Sequence, residues 1–297
     1  MNKYIDGKAI SSEIQETIKS KVEEYTAKGL RKPGLATLLV GNNPASQSYI
    51  RSKIKKSEYV GFNSFHKSLG EDASIEEVMK TIEEWNNSEE IDGILVQLPL
   101  PLNLAKYTND IMLAIDPEKD VDGFHPYNIG LLVKGEPRFI PCTPRGIIEL
   151  LKHEKIETTG KKAVIIGRSQ IVGLPVGLLL LMKNDEYGNA TVTYCHSRTK
   201  NLDEEIKQAD ILIAAIGKPQ FVKSNMIKEG VTIIDVGINR IEDSNSKKGY
   251  RIVGDVDTED VLPKVSRITP VPGGVGPMTI TMLLENTLES YERKLSK

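Results

Sequence analysis

The sequence predicts an α/β protein of two domains whose sheets are mostly parallel and covered on both faces. Three observations carry this. Short, continuous apolar runs alternate with helical segments along the chain, and strands apolar on both faces belong to parallel sheets buried by helices. The length of 297 residues corresponds to about two domains at roughly 150 residues each. The stretch Lys119–Thr143, with several Gly and Pro residues, interrupts the strand–helix rhythm and puts a domain boundary there or just after it.

In chain order, the first strand is expected at Leu35–Val40, ending at Gly41. Asn43-Pro44 then reads as an N-cap followed by proline at the first helical position. That helix should run to about Val60 and stop at Gly61. Along it Ser46, Tyr49 and Lys53 share one face, and Ile50 and Ile54 mark the adjacent buried side. Tyr49 and Lys53 are therefore expected where the helix leaves the core. A second strand is expected at Gly93–Leu98, ending in Pro99-Leu100-Pro101. Past the boundary, Thr143 and Pro144 repeat the N-cap and proline signal. Strands Ala163–Ile166, Thr191–Cys195, Ile211–Ile216 and Thr232–Val236 follow, then a polar loop Asp243–Gly249 and a last helix from Gly276-Pro277 to about Glu292.

Composition narrows the function classes. Lys plus Arg total 39 against 41 Asp plus Glu, a net charge of −2, which gives no long-range attraction to nucleic acid or an anionic membrane. Cys142 and Cys195 form no C-x-x-C pair, and the 4 histidines show no zinc spacing, so neither a metal site nor a disulfide scaffold is expected. Residues Met1–Ile10 lack the apolar core of a signal peptide. The most apolar stretch, Ile171–Met182, is too short to span a bilayer. A cytoplasmic protein is the expectation.

Lys162–Gly173 reads as strand, turn and helix. Gly167 permits the sharp turn, and Gly173 lets the helix approach the sheet. The helix start would favour a phosphate. Ser169 replaces the middle glycine of G-x-G-x-x-G, so a plain strand–helix turn is the alternative. The strand Thr191–Cys195 ends in His196-Ser197-Arg198 rather than in an acidic residue. A hydroxyl and a guanidinium suit a 2′-phosphate, with Arg168 as a second cation, which favours NADP over NAD. The alternative for Arg198 is a solvated surface residue.

Elsewhere, Gln97 lies in a strongly apolar strand between Val96 and Leu98. It requires a partner there, as a structural amide or as part of a site. Asp120 and Asp122 place two carboxylates in a turn, where turn chemistry and helix capping are the plain alternative. Thr269–Thr279 is a rigid loop rich in glycine and proline, suited to fixing backbone near a ligand.

Together, the segments Val40–Lys53, Val96–Pro101, Lys119–Gly123, Pro141–Pro144, Gly167–Gly173 and Pro270–Met278 resemble the bifunctional methylenetetrahydrofolate dehydrogenase/cyclohydrolase family. The resemblance runs from about Ile5 to Asn286. It implies two three-layer α/β domains with a cleft between them. Residues 1–140 plus 277–297 would form the folate-binding catalytic domain, and 141–276 the Rossmann-like NADP domain. It further implies NADP-dependent oxidation of 5,10-methylenetetrahydrofolate, hydrolysis of the methenyl product to 10-formyltetrahydrofolate, and a homodimer.

Carried over by position, Lys53 matches the catalytic lysine, Gln97 its contact, Tyr49 a stacking ring and Asp122 the carboxylate that holds the pterin. Val96, Leu98, Pro270, Pro272, Gly273 and Gly274 fall on the folate side. Gly167, Arg168, Ser169, Ser197 and Ile238 fall on the NADP side. Two departures from the family pattern are Leu131, where many relatives carry Arg, and Lys183–Gly188, a longer link before the second Rossmann strand.

Overall fold

The computed structural model describes every residue except Met1, Asn245, Lys247, Lys248 and Lys297. In chain order it runs α1 (Gly7–Ala27), β1 (Gly34–Val40), α2 (Pro44–Tyr59), β2 (Asn63–Leu69), α3 (Ile75–Asn86), β3 (Gly93–Val96), α4 (Thr108–Ala114) and α5 (Pro126–Lys134). It continues with α6 (Cys142–His153), β4 (Lys162–Ile166), α7 (Gly173–Leu181), β5 (Thr191–Cys195), α8 (Leu202–Lys207), β6 (Ile211–Ala214) and β7 (Thr232–Asp235). Last come β8 (Asn239–Glu242), β9 (Tyr250–Val253), α9 (Thr258–Val261), β10 (Arg267–Ile268) and α10 (Val275–Leu295).

The chain divides into two compact units, 12–142 with 280–297, and 1–11 with 143–279. The expected division, 1–140 with 277–297 against 141–276, differs from these units at three places: 1–11 and 277–279 group with the second unit, and 141–142 with the first. Backbone pairing explains the placement of the N-terminal segment. Ile5 N donates to Ile268 O at 2.8 Å and Ile268 N to Lys3 O at 2.9 Å, so the N-terminal segment extends the sheet beyond β10.

The first unit holds a three-stranded parallel sheet in the order β2-β1-β3. Strands β1 and β3 are buried along their whole length. Their Ala36, Leu38, Val40, Ile94 and Val96 pack with Val78 and Ile82 of α3 and Ile111 of α4. The sequence does not mark β2, because it is an edge strand with no fully buried position and reads as polar.

The other unit holds a five-stranded, all-parallel sheet in the order β10-β7-β6-β4-β5. Val164, Ile166, Leu212, Ala214, Ile233 and Ile268 form one side of its core, closed by Ile206 of α8 and Val261 of α9. Strands β8 and β9 form a separate antiparallel hairpin. Of the expected loop Asp243–Gly249 between them, residues 245, 247 and 248 lie outside the described residues.

Two helix boundaries shift. Helix α6 begins at Cys142, so Thr143 and Pro144 lie in its first turn rather than at its cap. Helix α10 spans Val275–Leu295, beginning one residue before the expected Gly276-Pro277 and running past Glu292.

Candidate functional site

Helix α2 opens as the sequence indicates. The Asn43 side chain accepts from Ala45 N at 3.0 Å and Ser46 N at 3.1 Å, and Pro44 occupies the first turn. The buried line of this helix is Ser46, Ile50, Lys53 and Ser57. Lys53 therefore sits inside the buried stripe, 9% exposed, rather than at its margin, while Tyr49 lies outside it at 43%.

Lys53 Nζ donates to Gln97 Oε1 at 3.0 Å. Gln97 follows β3, and its backbone N–H continues the sheet by donating to Leu38 O at 2.9 Å. Its Nε2 donates to Leu98 O at 2.6 Å, which fixes the amide so that its oxygen faces the amine. The polar residue in an apolar strand thus has two partners and adds no charge beside the lysine.

The segment Lys119–Gly123 divides its labour residue by residue. Lys119 Nζ donates to the carbonyls of Trp85, Asn86 and Ser88 at 2.9, 2.7 and 2.7 Å, closing the C-terminal end of α3. Asp120 accepts from Phe124 N, His125 N and Asn128 Nδ2 at 3.2, 2.8 and 2.8 Å, and so holds the start of α5. Turn chemistry therefore accounts for Asp120 alone. Gly123 adopts φ +77°, and a Cβ there would stand 2.7 Å from Pro141 N.

Asp122 instead interacts through its charge with the amine. Burial lowers the Lys53 pKa from the ordinary 10.5, opposed by the charges of Asp122 and Cys142. Burial likewise raises the Asp122 pKa, opposed by Lys53 and by a hydrogen bond from the Cys142 thiol. Both shifts run toward the neutral forms, as desolvation dictates.

The local sequence gives Cys142 no part here; its sulfur lies beside Asp122 and 3.4 Å from Val121 O, and the residue is 1% exposed. Asn286 of α10 fixes the same corner, donating to Val121 O at 2.7 Å and Ile140 O at 3.0 Å. Nothing local in the sequence announces either contact, because each joins segments far apart in the chain.

In the other unit, Gly167 ends β4 at φ +128°, and a Cβ there would stand 2.2 Å from Ala215 O. Ser169 Oγ accepts from Val172 N and Gly173 N at 3.2 and 3.3 Å, shaping the turn into α7. Gly173 could not carry a side chain, since its Cβ would lie 2.4 Å from Gly167 O. Strands β4 and β5 pair with Ile166 opposite Cys195, so the turns bearing Arg168 and Ser197-Arg198 leave the same sheet edge side by side. All four side chains in those turns, Arg168, Ser169, Ser197 and Arg198, are exposed. A glycine turn, two hydroxyls and two guanidiniums at the carboxyl edge of a parallel sheet fit a phosphorylated dinucleotide. The longer link Lys183–Gly188 precedes β5 and lies at the opposite, amino-terminal end of that strand.

Residues Pro270, Pro272, Gly273 and Gly274 belong to this unit, whereas Tyr49, Lys53, Val96, Gln97, Leu98 and Asp122 belong to the other. The loop is compact in its own right: Gly274 N donates to Pro270 O at 2.8 Å. Among the described residues, no group of three or more His, Cys, Asp or Glu could hold a metal ion, and no helix is long and apolar enough to cross a membrane.

Parallel sheets in both units, one ending in a glycine turn and the other carrying a buried amine, mark an α/β enzyme of the dinucleotide-binding class. The chain belongs to the tetrahydrofolate dehydrogenase/cyclohydrolase family: the model of its catalytic domain matches residues 5–122, and that of its NAD(P)-binding domain matches residues 141–295. A relative from Chlorobium chlorochromatii, described as bifunctional protein FolD, is 52% identical over 291 residues, covering 97% of this chain and 98% of its own.

Among solved structures, the bifunctional FolD methylenetetrahydrofolate dehydrogenase/cyclohydrolase of Campylobacter jejuni is 47% identical, with TM-score 0.91 over 98% of this chain and 99% of its own. The Trypanosoma brucei enzyme complexed with NADP cofactor and inhibitor is 37% identical, with TM-score 0.92 over 99% of this chain and 98% of its own.

Proposed function

We propose that the protein oxidises 5,10-methylenetetrahydrofolate with NADP and hydrolyses the resulting 5,10-methenyl cation to 10-formyltetrahydrofolate. The observation that carries this is the Lys53 amine, buried and held by a neutral amide at 3.0 Å, in the unit that matches the family's catalytic-domain model. NADP, when bound, supplies the hydride acceptor. The oxidation needs orientation more than a base, because a substrate nitrogen lone pair stabilises the cation as hydride departs.

Hydrolysis needs proton transfer. Water attacks the methenyl carbon and loses a proton; the carbon–nitrogen bond to the ring then breaks, and that nitrogen gains a proton. The formyl product forms with net release of one proton. Neutral Lys53 takes the proton from water and returns one to the departing nitrogen, which requires the lowered pKa that burial provides. Gln97 orients the amine and adds no full charge that would raise its pKa.

Asp122 accepts hydrogen bonds from the aminopyrimidinone edge of the pterin. Tyr49 offers a flat surface for stacking. Val96, Leu98 and the loop containing Pro270, Pro272, Gly273 and Gly274 complete the folate side. Gly167, Arg168, Ser169, Ser197 and Ile238 hold NADP, with the cations directed to its 2′-phosphate. We infer a cytoplasmic homodimer with no nucleic-acid partner; sedimentation equilibrium tests the dimer.

The deciding experiment incubates the protein with methylenetetrahydrofolate and NADP and follows methenyl absorbance, then its decay by hydrolysis. Formation and decay are expected. Failure to form the chromophore would leave a dehydrogenase of another substrate class or a binding protein as the better assignment.

A further inference from the structure

Two carboxylates lie at the carboxyl ends of β6 and β7, and neither the folate chemistry nor the phosphate turn uses them. Asp235 is 1% exposed and Asp255 0%. Asp235 closes β7 and accepts from Gly237 N, Asp255 N and Val256 N at 2.9, 2.9 and 3.0 Å. Asp255 reaches across both strand ends. Its Oδ2 accepts from Ile216 N at 2.7 Å and Gly217 N at 2.9 Å, beyond β6. Its Oδ1 accepts from Asn239 Nδ2 at 2.8 Å, beyond β7.

The packing around this pair is tight. A Cβ on Gly254 would meet Asp235 Oδ2 at 1.8 Å, and one on Gly237 would meet Asp255 N and Oδ1 at 2.4 Å. Gly217, held by the same carboxylate, adopts φ +68°. Between the tied residues Gly237 and Asn239 stands Ile238, 54% exposed. A large apolar side chain is thus presented to solvent on a backbone anchored at both neighbours. It lies at the sheet edge where open α/β sheets take their ligands.

We propose that Asp255 is a positioning residue for NADP, fixing the loops after β6 and β7 so that Ile238 presents a preformed apolar wall to the cofactor. This rests on the NADP reading above and extends it to residues that do not touch the nucleotide. The carboxylate satisfies all three donors at once because both oxygens accept. An amide in its place would lose the charge and keep these contacts only if the Asn239 side chain turned its oxygen toward it. Charge-assisted bonds of this kind are also stronger than neutral ones. Preformed walls raise affinity by removing the ordering cost of binding.

The test compares wild type, Asp255→Asn and Asn239→Ala in two assays: dehydrogenase rate against NADP concentration, and methenyl hydrolysis without nucleotide. Saturation of the wild-type rate by NADP first establishes the underlying reading; a wild type that does not use NADP refutes that reading and this inference with it. Given that, Asp255→Asn is expected to raise the KM for NADP about tenfold or more, and Asn239→Ala by a few-fold. Hydrolysis should stay within about twofold in both, since Lys53, Gln97 and Asp122 lie in the other unit. Unchanged KM for NADP in Asp255→Asn, or parallel loss of both activities, would overturn the proposal. Should that variant fail to fold, Asn239→Ala decides alone, and an unchanged KM for NADP there has the same force.

Discussion

At the residue scale the proposed chemistry depends on one amine, Lys53, that burial biases toward its neutral form. Lys53→Met is expected to reduce methenyl hydrolysis by at least about a hundredfold, the range of a lost acid–base group. Hydride transfer, assayed separately, should fall less. In the wild type the hydrolysis rate should rise with pH as Lys53 deprotonates, with its midpoint below the free-lysine value of 10.5. A midpoint at or above that value would contradict the assignment. Cofactor choice has its own residue test. Wild type should prefer NADP, and Arg168→Ala should narrow its preference over NAD by roughly tenfold, the worth of one charge-assisted contact; steady-state kinetics with both nicotinamides checks this.

How far such residues were legible depends on the distance of their partners. Asn43 and Pro44 declare themselves, because capping is local. Gln97 declares a need for partners, since an amide in an apolar strand requires them, but not which ones. Asp120 and Asp122 look alike in sequence; only the fold separates the carboxylate that braces α5 from the one whose charge acts on Lys53.

At the scale of elements, α2 carries Tyr49 and Lys53 of the candidate site, and its cap sets its first turn. Asn43→Ala removes the acceptor of two backbone N–H groups and should cost about 1 kcal/mol. Urea unfolding should show a lower midpoint with an unchanged slope; an unchanged midpoint would remove the cap from the account. Strands β1, β3, β4, β6 and β7 were visible as apolar runs because they are covered on both faces. Strand β2 and the β8–β9 hairpin escaped notice because edge and isolated strands keep polar side chains. Strand β10, two residues long, offers too little pattern to read.

For the whole molecule, buried carboxylates link stability to pH. Burial raises Asp120 from 3.8 to about 6 and Asp235 from 3.8 to about 7. The folded state therefore binds more protons than the unfolded one across those windows. Their contribution is complete below about pH 3.8 and is lost as pH climbs through the folded values. Relative to Asp120→Asn, wild type should be more stable at about pH 4.5 than at about pH 7.5, by about 2 kcal/mol. Denaturant titrations of both proteins at the two pH values measure this; a constant difference would reject it.

The chain's two ends are exchanged between the units. The opening segment borders the five-stranded sheet through Ile5 and Lys3. In the other unit the closing helix sends Lys294 to Asp92 at 2.9 Å, and Tyr291 Oη donates to Arg31 O at 2.6 Å. Neither half can therefore be excised as one contiguous fragment: a recombinant piece ending near residue 142 would lack its final helix, and one beginning there would lack the segment that borders its sheet. Splitting the gene at that point should yield insoluble pieces, whereas a single nick in the backbone of the folded protein should leave both parts held together.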